Sequence, residues 1–188
     1  VRAVQTAHFQ DASTVRWSGG SNFGFNGNLN HAEDFVEVKN SDKNRTFEAK
    51  TAHPMNIFDY FKNDRYAALT GIELLDAGLG YAKASLQIDE RHQNANGVAQ
   101  GGVLFTLADF VTGVASNSHG DMAVSISGHV AFLQSSVPGD ELTAEATERF
   151  LHKRLGNYQV DVTNQRGELV ATLETTVYRK AQKTGLTL

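Results

Sequence analysis

Between His92 and Phe110 the chain sets a polar, glycine-bearing loop directly before a helix that is apolar almost all the way round and holds one carboxylate. The loop runs from His92 through Asn94 and Gly97 to Gln100, the pair Gly101-Gly102 starts the helix, and Asp109 is the carboxylate. Glycines at a helix start let a ligand approach the free backbone N–H groups, which carry the positive end of the helix dipole. Such donors suit a carbonyl oxygen that becomes negative during reaction. An acid one to two turns further in can then handle water or a proton.

The helix itself leaves only Thr106, Asp109, Thr112 and Ser116 polar, at spacings of three and four, so they form one narrow stripe. If the stripe faces solvent, Asp109 is an ordinary surface acid. If it faces a cleft, the carboxylate is partly desolvated and becomes a competent base near neutral pH. Stripe geometry alone favours the first reading, because most helical acids are solvated.

Other chemistries find little support. The chain has no cysteine, hence no disulfide framework, thiol nucleophile or Cys-ligated metal. Its seven histidines form no His-x-His or His-x-x-x-His pair, so no metal site is expected, and His92 reads as a structural residue beside the loop. No Gly-x-Ser-x-Gly elbow, P-loop or Gly-x-Gly-x-x-Gly pattern occurs. Water is therefore the acyl acceptor if the chain is a hydrolase. Arg149, Lys153 and Arg154 form a short basic cluster that could meet phosphates, although such a cluster at a turn is more often a solvated face.

The elements that must position these residues follow from composition and pattern. The 188 residues are 40% hydrophobic and 20% charged, enough for one globular domain with a core and an appended segment. A net charge of -4 without a basic run argues against nucleic acid, and no stretch approaches a bilayer span or a secretory signal, so a cytoplasmic protein without membrane contact is expected. Residues 1–54 carry an Asn/Gly-rich run at 18–28 and scattered Trp17, Phe23, Phe25 and Phe35, and read as a flexible or non-native extension, with Met55 a candidate natural start. A strand or loop covering part of the main domain is the functional alternative for this segment.

From Pro54, suited to a first helical position, residues 55–69 read as one or two short helices ending at Thr70-Gly71. Strands are expected at 72–76 and 81–88, then the loop and long helix, then strands at 123–133, 141–151, 157–164 and 169–178. Pro138-Gly139-Asp140 and Gln165-Arg166-Gly167-Glu168 supply the turns. One long apolar helix among six strands calls for an α+β fold with an antiparallel sheet wrapped around it.

The pattern His92-x-Asn94-x-x-Gly97-x-x-Gln100-Gly101-Gly102, with Leu107-Ala108-Asp109 and Ala123-Val124-Ser125-Ile126, resembles the hotdog-fold acyl-CoA thioesterases of the phenylacetate-degradation (PaaI-like) group. The resemblance spans roughly residues 55–180 and implies a hotdog domain over 55–188. It implies Asp109 as the catalytic acid, acting as general base on water or as nucleophile, and Gly101 and Gly102 as oxyanion donors. Asn94 would position the water or the carbonyl, and Ser125 would orient the water. Gln100 stands where His is commoner; its amide can hydrogen-bond but cannot titrate, so it is expected to contact the carbonyl or brace the loop. Gly97, Phe110, Phe132, Lys153 and Arg154 complete the expected substrate contacts. No cofactor is implied. The family's sites lie at a dimer interface, which implies a homodimer at least, with a homotetramer expected. The alternatives are a non-catalytic acyl-CoA-binding module and a hydroxyacyl-thioester dehydratase, the latter weakened by the missing His.

Overall fold

A computed structural model describes residues 7–11, 14–17, 22–24 and 55–188. The chain divides into two compact units, Val1–Thr51 and Ala52–Leu188. In the first, β1 (Ala7–Asp11), β2 (Thr14–Trp17) and β3 (Asn22–Gly24) form a small antiparallel sheet. Most of the Asn/Gly-rich run, with Phe25, Phe35 and Pro54, lies outside the described residues.

The second unit begins with β4 (Met55–Asn56) and two short helices, α1 (Ile57–Phe61) and α2 (Arg65–Thr70). Asp64 caps α2 by accepting the Tyr66 and Ala67 N–H groups at 3.0 Å, and Gly71 closes it at φ +88°, a conformation that favours glycine. β5 (Ile72–Gly78) and β6 (Tyr81–Gln87) follow, then the loop and the long helix α3 (Gly101–Asn117). β7 (Asp121–Phe132), β8 (Glu141–Leu151), β9 (Leu155–Asn164) and β10 (Leu169–Lys183) complete the main sheet, and β11 (Leu186–Thr187) pairs in parallel with β4.

The six-stranded sheet has the order β5-β6-β8-β9-β10-β7, with every neighbour antiparallel. Its inner face is read directly from alternation: Ala82, Ala84 and Leu86 on β6, Leu142, Ala144 and Ala146 on β8, and Tyr158, Val160 and Val162 on β9 are all buried. The alanines of β6 and β8 keep that face shallow, so α3 can lie in the curve of the sheet with Leu107, Val111, Val114 and Ala115 inaccessible to solvent. This is the expected antiparallel sheet around one helix. Strand β10 runs five residues past its expected end, because Arg179 and Lys183 continue pairing with β7. Among the described residues, no helix is long and apolar enough to cross a membrane.

That extension is pinned by charge. Asp121, at the start of β7, binds the Arg179 Nη2 at 2.8 Å and the Lys183 ammonium. The Lys183 hydrogen bond, with the charges of Lys183 and Arg179, holds the Asp121 carboxyl below its ordinary value of 3.8. A depressed folded-state pKa stabilises the fold above the unfolded value, and the gain is lost as pH falls through the folded value. Asp121→Asn is therefore expected to lower the urea midpoint at pH 7 by the equivalent of about 1 kcal/mol. Below about pH 4 the wild-type and variant curves should converge; a gap that stays constant down to pH 2 would count against this ion pair.

Candidate active site

The loop before α3 is tied down at every turn. The Gln93 and Ala99 backbones pair, Ala99 N–H donates to Ser136 O at 2.8 Å, and Gln100 N–H donates to His92 O at 2.8 Å. Gly97 holds φ +76°, so the tight turn from Asn94 needs glycine there. His92 is buried as a brace: its Nδ1 accepts the Asp89 N–H at 3.0 Å while Nε2 lies 2.9 Å from Thr70 O, an arrangement that fits the neutral Nε2–H tautomer. Asn94 Oδ1 accepts the Asn96 N–H at 2.8 Å, which leaves its Nδ2 to face outward contacts.

Gln100 is the N-cap of α3, and its Oε1 accepts the Gly102 N–H. That bond makes it a brace of the loop, one of its two expected roles. The Gly102 amide is occupied by that cap, and the Gly101 N–H, which precedes the first turn of the helical ladder, has no partner among the described residues. Gly101 is glycine for a packing reason: a Cβ there would lie 3.0 Å from the Phe132 ring.

The polar stripe of α3 does not survive as drawn. Thr112 and Ser116 are buried, their hydroxyls donating to Ala108 O at 2.9 Å and Gly113 O at 3.2 Å, which removes the cost of burying them. The accessible flank of the helix runs instead through Gly102, Phe105, Thr106, Asp109 and Gly113. Asp109 is half-buried on this flank, and Ser125 Oγ donates to its Oδ1 at 2.8 Å.

Helix α3 and edge strand β7 meet in three rungs. Gly101 lies against Phe132, Phe105 lies against Gly128, and Asp109 is bonded to Ser125. A Cβ at Gly128 would stand 3.3 Å from Leu173, a tight approach, and 3.6 Å from the Phe105 ring, an ordinary contact. Ser125 and Phe132 are an odd number of residues apart and would point to opposite faces of a regular strand. A bulge corrects this: Ser125 pairs with Val177 and Ser127 with Thr176, leaving Ile126 as the extra residue. Both side chains consequently face the helix.

Other expected contacts fall elsewhere. Phe110 is buried against Phe61, edge to face with centroids 5.8 Å apart, and belongs to the core rather than to an accessible pocket. Lys153 and Arg154 sit on the β8–β9 turn, where Arg154 Nη1 donates to Tyr178 Oη at 3.0 Å. Phe105 and Gly128 were not among the expected site residues. A glycine within an otherwise side-chain-bearing strand was the available signal.

One distance limits what a single chain can do. Eight residues separate Gly101 from Asp109, about 12 Å of helix rise, whereas an oxyanion donor and a base serving one carbonyl must each lie about 3 Å from the reacting group.

The model of the thioesterase superfamily matches residues 96–171, which span both halves of this arrangement. A putative esterase of Archaeoglobus fulgidus is 37% identical over 122 residues, covering 64% of this chain and 79% of that protein. The acyl-coenzyme A thioesterase PaaI of Escherichia coli is 33% identical over 122 residues, covering 65% and 84%. The chain belongs to the thioesterase superfamily. The solved structure of E. coli PaaI, from the phenylacetic acid degradation operon, superposes with a TM-score of 0.67 at 30% identity over 70% of this chain and 94% of that one. A hypothetical thioesterase of Streptococcus pneumoniae solved with coenzyme A superposes at 0.63 with 25% identity, over 68% and 99%. The sheet and central helix are thus those of a PaaI-like hotdog thioesterase.

For this thioesterase, Ser125→Ala is expected to fold normally and to lose about 10–100-fold in kcat with little change in KM, because the carboxylate loses the donor that orients it. Steady-state thioester hydrolysis with a parallel unfolding curve reads this out, and an unchanged kcat would remove Ser125 from the site.

Proposed function

We propose that the protein hydrolyses acyl-CoA thioesters to the free acid and coenzyme A, at a site shared between two copies of the chain. The observation that carries this reading is the half-buried Asp109 carboxylate fixed by Ser125 on the flank of α3. Ser125 occupies Oδ1, so Oδ2 is left to accept a proton from water. The water oxygen bonds to the thioester carbon as its proton passes to Asp109. The carbonyl oxygen becomes the oxyanion and accepts the Gly101 N–H, with Asn94 Nδ2 as a second donor. Collapse breaks the C–S bond, and the departing thiolate takes the proton from Asp109. Gln100 holds the loop and moves no proton.

The relatives support the substrate class: one is an acyl-coenzyme A thioesterase, and a structural neighbour was solved with coenzyme A. Residues 55–188 are the hydrolytic unit of this proposal, in keeping with the division of the chain at Thr51 and Ala52. Lys153 and Arg154 are assigned to the phosphates of the substrate, since their turn lies at the strand row that continues through Gly156 and Val177 to Ser125. The second copy is supported by the 12 Å rise that separates Gly101 from Asp109 on one helix. With two antiparallel helices side by side, the amide of one serves the carboxylate of the other.

Two measurements test this. Asp109→Asn should retain the fold and lose at least about a thousandfold in kcat, with released thiol followed optically; binding of acyl-CoA without release by the wild type would instead mark a binding module. Asp109→Ala and Gly101→Val should each be inactive, yet refolding them together should restore about a quarter of wild-type activity, since half the dimers are mixed and carry one intact site. No recovery from mixed dimers would place the whole site within one chain.

A further inference from the structure

Hydrolysis of an acyl-CoA requires room for the acyl group beside the Gly101 amide. Helix α2 and the first two turns of α3 leave between them a hollow of about 230 Å³, mainly apolar and open to solvent. Its apolar walls are Tyr66 and Leu69 on α2 and Val103 on α3. Val103 directly follows the Gly101-Gly102 start, so the hollow begins about 3 Å of helix rise beyond the proposed oxyanion donor. At about 100° per residue, Val103 is turned about 100° from Gly102 toward α2, whereas Phe105 is turned about 60° the other way, toward β7. We propose that this hollow receives the acyl group, that it selects a compact, uncharged and unsubstituted hydrocarbon, and that Leu69 and Tyr66 set the length it accepts. This rests on the acyl-CoA hydrolysis proposed above.

The polar groups around the hollow are already engaged. Thr106 Oγ1 donates to Gly102 O at 2.8 Å and Thr70 Oγ1 to Tyr66 O at 2.7 Å, each within its own helix. Both ring nitrogens of His92 are used, on the Asp89 N–H and on Thr70 O. Arg91 is the cation in the wall, and its charge is spent: Nε and Nη2 donate to Asp89 Oδ2 at 3.1 and 2.8 Å, and Nη1 donates to Leu69 O at 3.3 Å. A carboxylate at the far end of an acyl chain would enter without a free cation, and a hydroxyl would lose water for no free partner inside. The Tyr66 hydroxyl has no partner among the described residues, but its side chain is 64% exposed and reaches water. Leu69 is 68% exposed, and α2 meets the core through Ala67 and Thr70 instead. Packing of α2 therefore does not explain Leu69 and Tyr66, whereas a ligand surface does. A cavity of about 150 Å³ is enough for benzene, so about 230 Å³ takes roughly six carbons or one ring and leaves a longer chain in water.

Full-length protein is assayed with acetyl-, hexanoyl-, palmitoyl-, glutaryl- and 6-hydroxyhexanoyl-CoA, and kcat/KM is read from released thiol. Hexanoyl-CoA should exceed acetyl-CoA by about 100-fold, because each buried methylene is worth about fourfold. Palmitoyl-CoA should do no better than hexanoyl-CoA, and the glutaryl and hydroxyhexanoyl thioesters should each fall about tenfold or more below it. Leu69→Trp fills the hollow and should lower the hexanoyl-to-acetyl ratio at least about tenfold. Tyr66→Ala widens it and should raise the palmitoyl-to-hexanoyl ratio. Both side chains are exposed, so unfolding curves should match the wild type. Leu79→Trp, at an equally exposed leucine on the β5–β6 turn, is the control and should keep the wild-type ratios. Unchanged ratios in both α2 variants, or glutaryl-CoA hydrolysed as fast as hexanoyl-CoA, would place the acyl group elsewhere with the activity intact. If the wild type hydrolyses none of the panel, the functional reading itself falls, and this inference with it.

Discussion

A carboxylate and an amide on one rigid helix keep a fixed separation, and the distance from Gly101 to Asp109 is the constraint on which the rest of the site depends. The helix cannot bend to close about 12 Å without losing its hydrogen-bond ladder. Gly101 needs the helix start, where the amide precedes the ladder and the dipole is positive. Asp109 needs the half-buried flank beside β7, where Ser125 can reach it. In the proposed reaction one element meets both requirements because it is used twice, once by each copy.

The edge strand carries the other half of the design. A regular strand would show Ser125 and Phe132 to opposite faces, and only one of the two contacts with α3 would form. The extra residue Ile126 lets both form, at the cost of an interrupted ladder with β10. Gly128 lies between them, where a side chain would crowd Leu173. Loop and strand thus converge on the same helix from two directions: the loop through the Gln100 cap, the strand through three rungs.

Much of this was legible in the residues. The Gly101-Gly102 start, the single acid in an apolar helix and the alternating strands placed the fold and the elements that carry the candidate site. The burial of Thr112 and Ser116 was not legible, because polarity marks a side chain as costly to bury only when no carbonyl is near, and each hydroxyl found one within its own helix. Phe105 departs in the opposite direction: hydrophobic type suggests burial, but the ring is 37% exposed on the accessible flank of the helix. The occupation of the Gly102 amide by Gln100 depended on one side-chain rotamer, which no spacing rule fixes.

In the proposed function, association adds chemistry rather than a core. The buried residues of the second unit form one cluster around α3, closed by α1 and α2 through Ile57 and Ala67, and none of them awaits a partner. On the proposed function, what a lone chain leaves incomplete is the reaction centre: a Gly101 amide with no base within reach. The proposed reaction asks of association only that it bring the Gly101 amide of one copy to the Asp109 carboxylate of another.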